Sequence, residues 1–217
     1  MFILSFETVM NKKEPVTSKN KGFTMQNKIK LIKKAILLGL LSLSPLLALE
    51  EANIKSEMSS IISNITQSIQ NKSLTLEQKK EQIIPLVNGI FNYQTMSKIA
   101  LGKKWKTLSS TQQNDFIQRF ERKLQDSYFE KLELYTDEKV LVKKLEKVKA
   151  TRIKLYAEII GADNNYELIY KFYKVKNSND WLVYDVEITG VSIIQTYRKQ
   201  FSEFLKTKSF SELLNSL

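Results

Sequence analysis

The sequence contains no cysteine and no histidine among its 217 residues, and only six glycines and three prolines. Without cysteine there is no disulfide framework, no thiolate nucleophile and no zinc or iron–sulfur site built on thiolates. Without histidine there is no Ser-His-Asp triad, no HExxH zinc site and no imidazole to move protons near neutral pH. The few glycines form no phosphate-binding loop. We therefore expect no cofactor, no metal and no enzymatic activity.

The positive charge of the chain is concentrated at its beginning. The formal net charge is +11, and residues 1–48 carry eight lysines against two acidic residues. The rest of the chain has 26 basic and 21 acidic residues, so it is only mildly basic. This balance does not favour nucleic-acid binding.

Residues 25–48 have the pattern of a secretory signal peptide. Four lysines precede an apolar stretch over residues 35–49, which is shorter than the ~20 residues of a membrane-spanning helix. We expect cleavage just after Ala48, with an uncleaved membrane anchor as the alternative. Residues 1–24 are interpreted as an upstream extension of the reading frame or a cytoplasmic tail. Residues 49–217 are predicted to form a single exported domain.

The first half of that domain has the apolar spacing of helices, with apolar residues three and four positions apart. The predicted helices cover residues 54–69, a segment after a Thr75-x-x-Gln78 capping box, residues 91–101, and a long segment after Ser109 or Ser110. Pro85 is predicted to end or kink the second helix. Gly102 is predicted to close the third helix.

The second half alternates apolar and polar residues, as strands do. Strands are predicted over residues 139–148 (with one irregularity), 151–160, 166–175 and 181–188, before a final helix that begins near Ser192. The short connections require antiparallel pairing. The sequence therefore predicts an α+β fold with N-terminal helices, a four-stranded antiparallel meander sheet, and C-terminal helices packed over one sheet face.

Three features offer weak signs of a site, each with a plainer interpretation. Ser192 lacks the second glycine of a nucleophile elbow, and an N-cap role is favoured. Asp185 and Glu187 share one side of a strand and match the paired carboxylates of glycosidases, but a solvated or salt-bridged pair is favoured. A basic run over residues 143–154 can meet an anionic surface, although a solvated strand face is favoured. The run consists of Lys143, Lys144, Lys147, Lys149, Arg152 and Lys154.

Three blocks of residues, taken in order, carry a family resemblance. They read Phe91-Asn-Tyr-x-x-Met96-Ser-x-x-Ala-Leu101-Gly102-x-x-Trp105, then Gln112-x-x-x-Phe116-x-x-x-Phe120, then Trp181-x-Val-Tyr184-Asp185-Val186-x-Ile188-x-Gly190-Val191-Ser192-x-x-x-x-Tyr197-Arg198-x-x-Phe201. This order resembles the MlaC family of periplasmic phospholipid-binding proteins over about residues 52–217. Asn92 stands where the family has Asp, and Ser97 where Ala is usual.

The resemblance implies a periplasmic carrier that takes phospholipid between an inner-membrane complex of the MlaD type and an outer-membrane complex of the MlaA type, with transient contact to each. Such a carrier belongs to an ABC-type transport system that maintains outer-membrane lipid asymmetry. Exposing two acyl tails to water costs on the order of 20 kcal/mol, at about 0.8 kcal/mol per methylene, so the carrier must enclose them. The alternative is an adaptor or structural domain with a filled core.

The cavity that this role requires is expected between the apolar sheet face and the helices. Its candidate lining residues are Phe91, Met96, Leu101, Phe120, Tyr170, Phe172, Tyr184, Val186, Val191, Ile194 and Tyr197. For each residue taken alone, plain core packing is an equal alternative. Arg198 is interpreted either as a residue of the pocket mouth or as a structural brace for Asp185.

Overall fold

The computed structural model describes residues 49–132, 138–161 and 164–217. The helices in these ranges are α1 (Ile54–Gln70), α2 (Leu76–Asn88), α3 (Tyr93–Leu101), α4 (Ser110–Leu132), α5 (Ile193–Phe204) and α6 (Phe210–Asn215), with a 3₁₀ helix over Gly102–Thr107. The strands are β1 (Leu49–Glu50), β2 (Lys139–Lys149), β3 (Arg152–Ile160), β4 (Asn165–Lys174), β5 (Asp180–Ile188) and β6 (Val191–Ser192). The predicted extension, signal peptide and cleavage site lie outside the described residues.

Local hydrogen bonds set the starts of the helices, as the sequence predicts. The backbone amide of Gln78 donates to Thr75 Oγ1 over 3.3 Å while the Thr75 amide donates to Gln78 Oε1, which confirms the capping box of α2. The amide of Gln112 donates to Ser109 Oγ over 3.2 Å, so Ser109 precedes α4 and the choice of Ser110 is wrong. Helix α2 continues through Pro85, because the proline is exposed and the carbonyl that it frees can bind water.

The sheet is antiparallel, with strand order β1-β5-β4-β3-β2 and with β6 also paired to β5. The predicted meander of β2 to β5 is confirmed, but the expectation of a four-stranded sheet is wrong. Strands β1 and β6 have two residues each, which is too short to produce an alternating pattern. Between them the segment around Phe91 forms a parallel bridge to Val183, with hydrogen bonds of 2.8 and 2.9 Å. Three short pieces therefore cover the outer edge of β5.

Three register shifts interrupt the pairing of the long strands. Two lie between β2 and β3, at Val142/Lys144 and at Lys147/Lys149, so β2 is irregular as predicted but at two places instead of one. The third, which the sequence does not indicate, leaves Tyr184 without a partner on β4, since Lys171 pairs with Asp185 and Phe172 pairs with Val183. Strict alternation would place Asp185 on the same face as Val183, and the bulge moves it to the opposite face.

The helices bury one face of the sheet, which we call the inner face, in two hydrophobic clusters. The helical cluster consists of Met96, Ala100, Leu101, Trp105, Leu108, Phe116, Phe120, Leu124, Ile193, Ile194, Phe201, Phe210 and Leu213. The sheet cluster consists of Leu49, Ile54, Met58, Ile61, Ile62, Ile90, Ile153, Leu155, Phe172, Trp181 and Val183. Helices α3 and α4 pack with α5 and α6, so the predicted division into N-terminal helices and a C-terminal cover is wrong.

Candidate functional site

Five residues of the inner face lie between the two clusters or outside both. Phe91 and Val186 pack against both clusters, and Tyr170 packs against the sheet cluster opposite Val186. Ala157 and Leu168 form a cross-strand pair and are buried, yet they belong to neither cluster. We call these five residues the seam. All five side chains are uncharged, so the seam is an apolar strip across the sheet.

Tyr170 is the one seam residue whose side chain carries a polar group. Burial raises the pKa of its hydroxyl to about 12. The side chain is nevertheless only half-buried, whereas Phe172, two residues further on, is fully buried. No hydrogen bond of the hydroxyl is found among the described residues. Within the described ranges, therefore, no protein group satisfies the one polar atom of the seam side chains.

A set of hydrogen-bonding side chains around Tyr93 adjoins the seam at Phe91. The ring of Tyr93 stacks on Phe91 with 6.2 Å between centroids and 21° between planes. Burial raises the pKa of Tyr93 to about 12, a shift that a hydrogen bond with Gln125 partly opposes. The Gln125 amide donates to Asn88 Oδ1 over 3.0 Å and to Glu121 Oε1 over 3.2 Å. Burial also raises the pKa of Glu121. The α2, α3 and α4 side chains thus give the apolar strip a hydrogen-bonding border.

The predicted lining residues separate into groups. Phe91, Tyr170 and Val186 lie in the seam. Met96, Leu101, Phe120 and Ile194 are buried in the helical cluster, Tyr197 is half-buried against it, and Phe172 is buried in the sheet cluster. Ala157, Leu168 and Tyr93 were not predicted; the alternation of Ile153, Leu155 and Ala157 was the signal available for Ala157. The lining of a lipid cavity by these residues stays a prediction.

Two further predicted residues lie away from the seam. The ring of Tyr184 lies on the face of the sheet opposite the inner face. Its centroid is 6.1 Å from that of Tyr173 and 5.4 Å from the Arg152 guanidinium carbon. Val191, in β6, is 52% exposed. The bulge at Tyr184 accounts for the first position, and the two-residue length of β6 for the second.

Asp185 ties the start of α5 to the sheet. It is 4% exposed and accepts hydrogen bonds from Lys171 Nζ over 3.0 Å, from Ser192 Oγ over 2.7 Å and from the Ile194 amide over 3.2 Å. Lys171 Nζ also lies 2.7 Å from Glu187. Burial lowers the pKa of Lys171, but the hydrogen bonds to Glu187 and Asp185 outweigh it and the net shift is upward. Both carboxylates therefore hold one ammonium group, the salt-bridged arrangement favoured by the sequence.

Ser192 and Arg198 have structural surroundings. Ser192 Oγ accepts a 3.1 Å hydrogen bond from the Gln195 amide, which confirms its N-cap role on α5. Arg198 is exposed, and its guanidinium lies over Gly102, where an added Cβ would be 3.4 Å from Arg198 Nε. Gly102 has a φ of 55°, which also favours glycine there. The described partners of Asp185 are Lys171, Ser192 and Ile194 rather than Arg198.

Three further observations concern surface cavities, membrane-spanning helices and metal sites. Two cavities of about 380 and 700 Å³ lie at the β2–β3 and β4–β5 turns, and no seam residue lines them. Residues 49–132, 138–161 and 164–217 contain no helix with the length and apolar character needed to cross a membrane. The same residues hold no group of three or more acidic side chains placed to bind a metal ion.

Comparison with known proteins assigns the family. Residues 56–217 match the family model described as MlaC protein. Among solved structures, the chain is similar to a phospholipid-binding protein from Ralstonia solanacearum in complex with a phospholipid, with 18% identity, a TM-score of 0.65, and coverage of 74% of this chain and 92% of that one. At that identity the likeness shows the fold alone. No curated protein matches. Because the family model covers most of its length, this chain belongs to the MlaC family.

Proposed function

We propose that this chain binds phospholipid by enclosing the acyl tails along the seam, between the inner face and the helices. The observation that carries the proposal is the seam itself, an uncharged strip of the inner face in which the half-buried Tyr170 lies opposite Val186 and its hydroxyl has no partner among the described residues. The phospholipid in the similar Ralstonia solanacearum structure supports the same ligand class.

The chemistry of the seam suits acyl tails. Each buried methylene contributes about 0.8 kcal/mol, so an apolar strip supplies affinity without any charged contact to the tails. The seam has no charged side chain to desolvate, and its polar border at Tyr93 and Gln125 offers hydrogen bonds to the ester or headgroup end of a lipid. This division, with tails inside and headgroup at the border, needs no histidine, cysteine or metal.

The biological role follows from the family. We assign to this chain the role of a soluble, exported, non-enzymatic carrier in the periplasm. In this role it exchanges lipid with an inner-membrane complex of the MlaD type and an outer-membrane complex of the MlaA type. The arrangement of Asp185 and Glu187 supports a role without catalysis, since the glycosidase geometry leaves two carboxylates facing a substrate and here both face Lys171.

One variant pair tests the tail site directly. Ala157→Phe places a ring in the seam, and Ala150→Phe places the same ring at the exposed turn between β2 and β3. The full-length chain is expressed with its own leader in a bacterial periplasm and purified without detergent, and lipid is then extracted for mass spectrometry. We expect phospholipid with the unchanged chain and with Ala150→Phe, and at least a tenfold loss with Ala157→Phe. Absence of lipid from the unchanged chain would favour the adaptor with a filled core.

A second measurement covers the case in which Ala157→Phe does not fold. The chain has no cysteine, so Leu168→Cys and Leu141→Cys each introduce one unique thiol, the first in the seam and the second on the exposed edge strand. Lipid loading should slow the reaction of the seam thiol with a small thiol reagent and leave the edge thiol unaffected. Equal rates with and without phospholipid at position 168 would contradict the proposal.

A further inference from the structure

The fold divides the basic run along β2 and β3 into three lysines that form ion pairs with glutamates and three cationic residues that form none in the described ranges. The paired contacts are Lys143 with Glu158 at 2.8 Å, Lys144 with Glu146 at 3.7 Å, and Lys147 with Glu51 at 2.6 Å. Lys149, Arg152 and Lys154 have no ion pair in the described ranges. Glu146 is the one acidic residue within the run, and the other two pairing acids, Glu51 and Glu158, come from elsewhere in the chain, so only the fold shows which lysines are neutralised.

The turn between β4 and β5 brings two more cations to the three residues without ion pairs. Lys174 and Lys176 line the larger cavity, which shares Thr151 and Arg152 with the smaller one. We call Lys149, Arg152, Lys154, Lys174 and Lys176 the cationic end. Neither cavity has an acidic residue in its lining, and the nearest acid along the chain, Asp180, is half-buried at the start of β5. Because the two cavities share Thr151 and Arg152, we call them together the groove.

Arg152 is held in place at the centre of this groove. Its guanidinium carbon lies 5.7 Å from the ring centroid of Tyr173 and 5.4 Å from that of Tyr184, and Nη1 donates to the Thr151 carbonyl over 2.7 Å. A guanidinium fixed by two rings loses little conformational freedom when it binds an anion, and its planar fork matches phosphate oxygens. Ser178 also lines the groove and supplies an uncharged hydroxyl.

We propose that the cationic end docks this protein on the phosphate layer of an anionic membrane. Two neighbouring turns at one end of the sheet can rest on a plane together, and a groove without acids attracts phosphate from any anionic lipid. A specific protein interface needs an apolar centre. In the described part of the groove lining, Val148 is the one large apolar side chain that is exposed, at 46%. This surface is distinct from the seam and does not depend on lipid being held there.

The test compares two triple variants that remove equal charge. Lys149→Gln/Lys174→Gln/Lys176→Gln neutralises the cationic end, and Lys143→Gln/Lys144→Gln/Lys147→Gln removes three paired lysines from the same sheet. Both keep residues 1–48 unchanged, so any contribution from that basic segment cancels. Binding is measured by co-sedimentation with vesicles of phosphatidylcholine, with and without about one third phosphatidylglycerol.

We expect the unchanged chain to bind only the vesicles that contain phosphatidylglycerol, and to be released at 1 M salt, where the Debye length is about 3 Å. The cationic-end variant should bind about a hundredfold more weakly, at roughly 1 kcal/mol for each lysine, and the paired-lysine variant should change less than about threefold. Arg152→Gln should weaken binding and Arg152→Lys should restore part of it.

Three results would overturn the proposal. The first is no binding of the unchanged chain to the anionic vesicles. The second is an equal loss in both triple variants, which would assign the effect to overall charge. The third is that the unchanged chain binds polyglutamate but not vesicles, and that only the cationic-end variant loses the polyglutamate binding. That result would mean that the cationic end binds an acidic protein. Lipid retained after purification is measured on the same samples, so failure of docking and failure of the tail site are distinguishable.

Discussion

The helical cluster and the sheet cluster use their aromatic residues differently. In the helical cluster Phe116 lies 5.4 Å from Phe120, 5.7 Å from Phe201 and 6.2 Å from Phe210, and Tyr197 packs edge-on at 5.0 Å from Phe120. In the sheet cluster the described contacts include no ring pair at Phe172 or Trp181, although both side chains are fully buried. Rings that contact one another, mostly edge-on or tilted, fill the first cluster, while the two large rings of the second pack without a ring partner.

This difference separates stability from binding. Rings that contact one another leave no room for a ligand, because interiors pack as densely as organic crystals. The seam, in contrast, combines buried residues that belong to neither cluster with a half-buried tyrosine whose hydroxyl has no partner in the described ranges. The helical cluster therefore serves chiefly to hold the fold, and the tail site that we propose lies in the seam.

The largest effect is expected from Phe116→Ala. Phe116 is fully buried and contacts three other rings, so truncation should cost about 4 to 5 kcal/mol in free energy of unfolding. Phe172→Ala, equally buried but without a ring partner, should cost about 3 kcal/mol. Urea denaturation of both variants gives the comparison. Equal losses would show that the two clusters do not differ in the way proposed.

An intermediate effect is expected at Asp185, which ties the start of α5 to the sheet. Asp185→Ala leaves Lys171 without its most buried partner and removes the acceptor for Ser192 and Ile194, at a cost of about 3 kcal/mol. The control is Glu187→Ala, which removes one ion pair from a more exposed carboxylate and should cost about 1 kcal/mol. Thermal unfolding measures both. A loss no greater in Asp185→Ala than in the control would exclude the tether between β5 and α5.

The smallest effect at neutral pH is expected from Tyr170→Phe. The hydroxyl has no described partner, so the free energy of unfolding at pH 7 should change by less than about 1 kcal/mol. At alkaline pH the free energies of unfolding of Tyr170→Phe and of the unchanged chain should differ. The pKa of Tyr170 is raised from 10.0 to about 12, so the unfolded state releases this proton first and the unchanged chain loses stability between about pH 10 and 12.

Urea titrations at pH 7, 9, 10 and 11 test this difference. Tyr170→Phe should lose less stability than the unchanged chain as the pH rises above 10. Lys171 also has a raised pKa, and the stability from its charged form is lost as pH rises through that value, but it is present in both proteins and cancels. Parallel pH curves would mean that the Tyr170 hydroxyl is open to bulk water, which would remove one support for a tail site.

The helix starts and long strands were predictable because their signals are local. A cap joins residues three positions apart, as Thr75 with Gln78 and Ser109 with Gln112 do, so neighbours in the sequence suffice. The Asn92 side chain accepts a 2.7 Å hydrogen bond from the Thr95 amide, so this departure from the family pattern still caps α3. Ser97 is different: its buried hydroxyl has no partner in the described structure.

The candidate site was predictable only in part. The resemblance and the apolar alternation indicated Phe91, Tyr170 and Val186, which the fold brings together in the seam. Tyr184 was also a candidate lining residue, but the bulge between Val183 and Asp185 leaves it on the face of the sheet opposite Val186. A bulge adds one residue to a strand without a strong mark in the sequence.

The order of the amino acids was enough to predict the capped helix starts, the four long strands and their antiparallel pairing, and the lack of thiolate and imidazole chemistry. Only the packed fold shows which buried aromatic rings contact one another, which candidate residues meet in the seam, and which lysines are paired. Caps and alternation depend on residues a few positions apart. Ring contacts and ion pairs such as Lys147 with Glu51 join residues far apart in the chain, and register and bulges fix their separation.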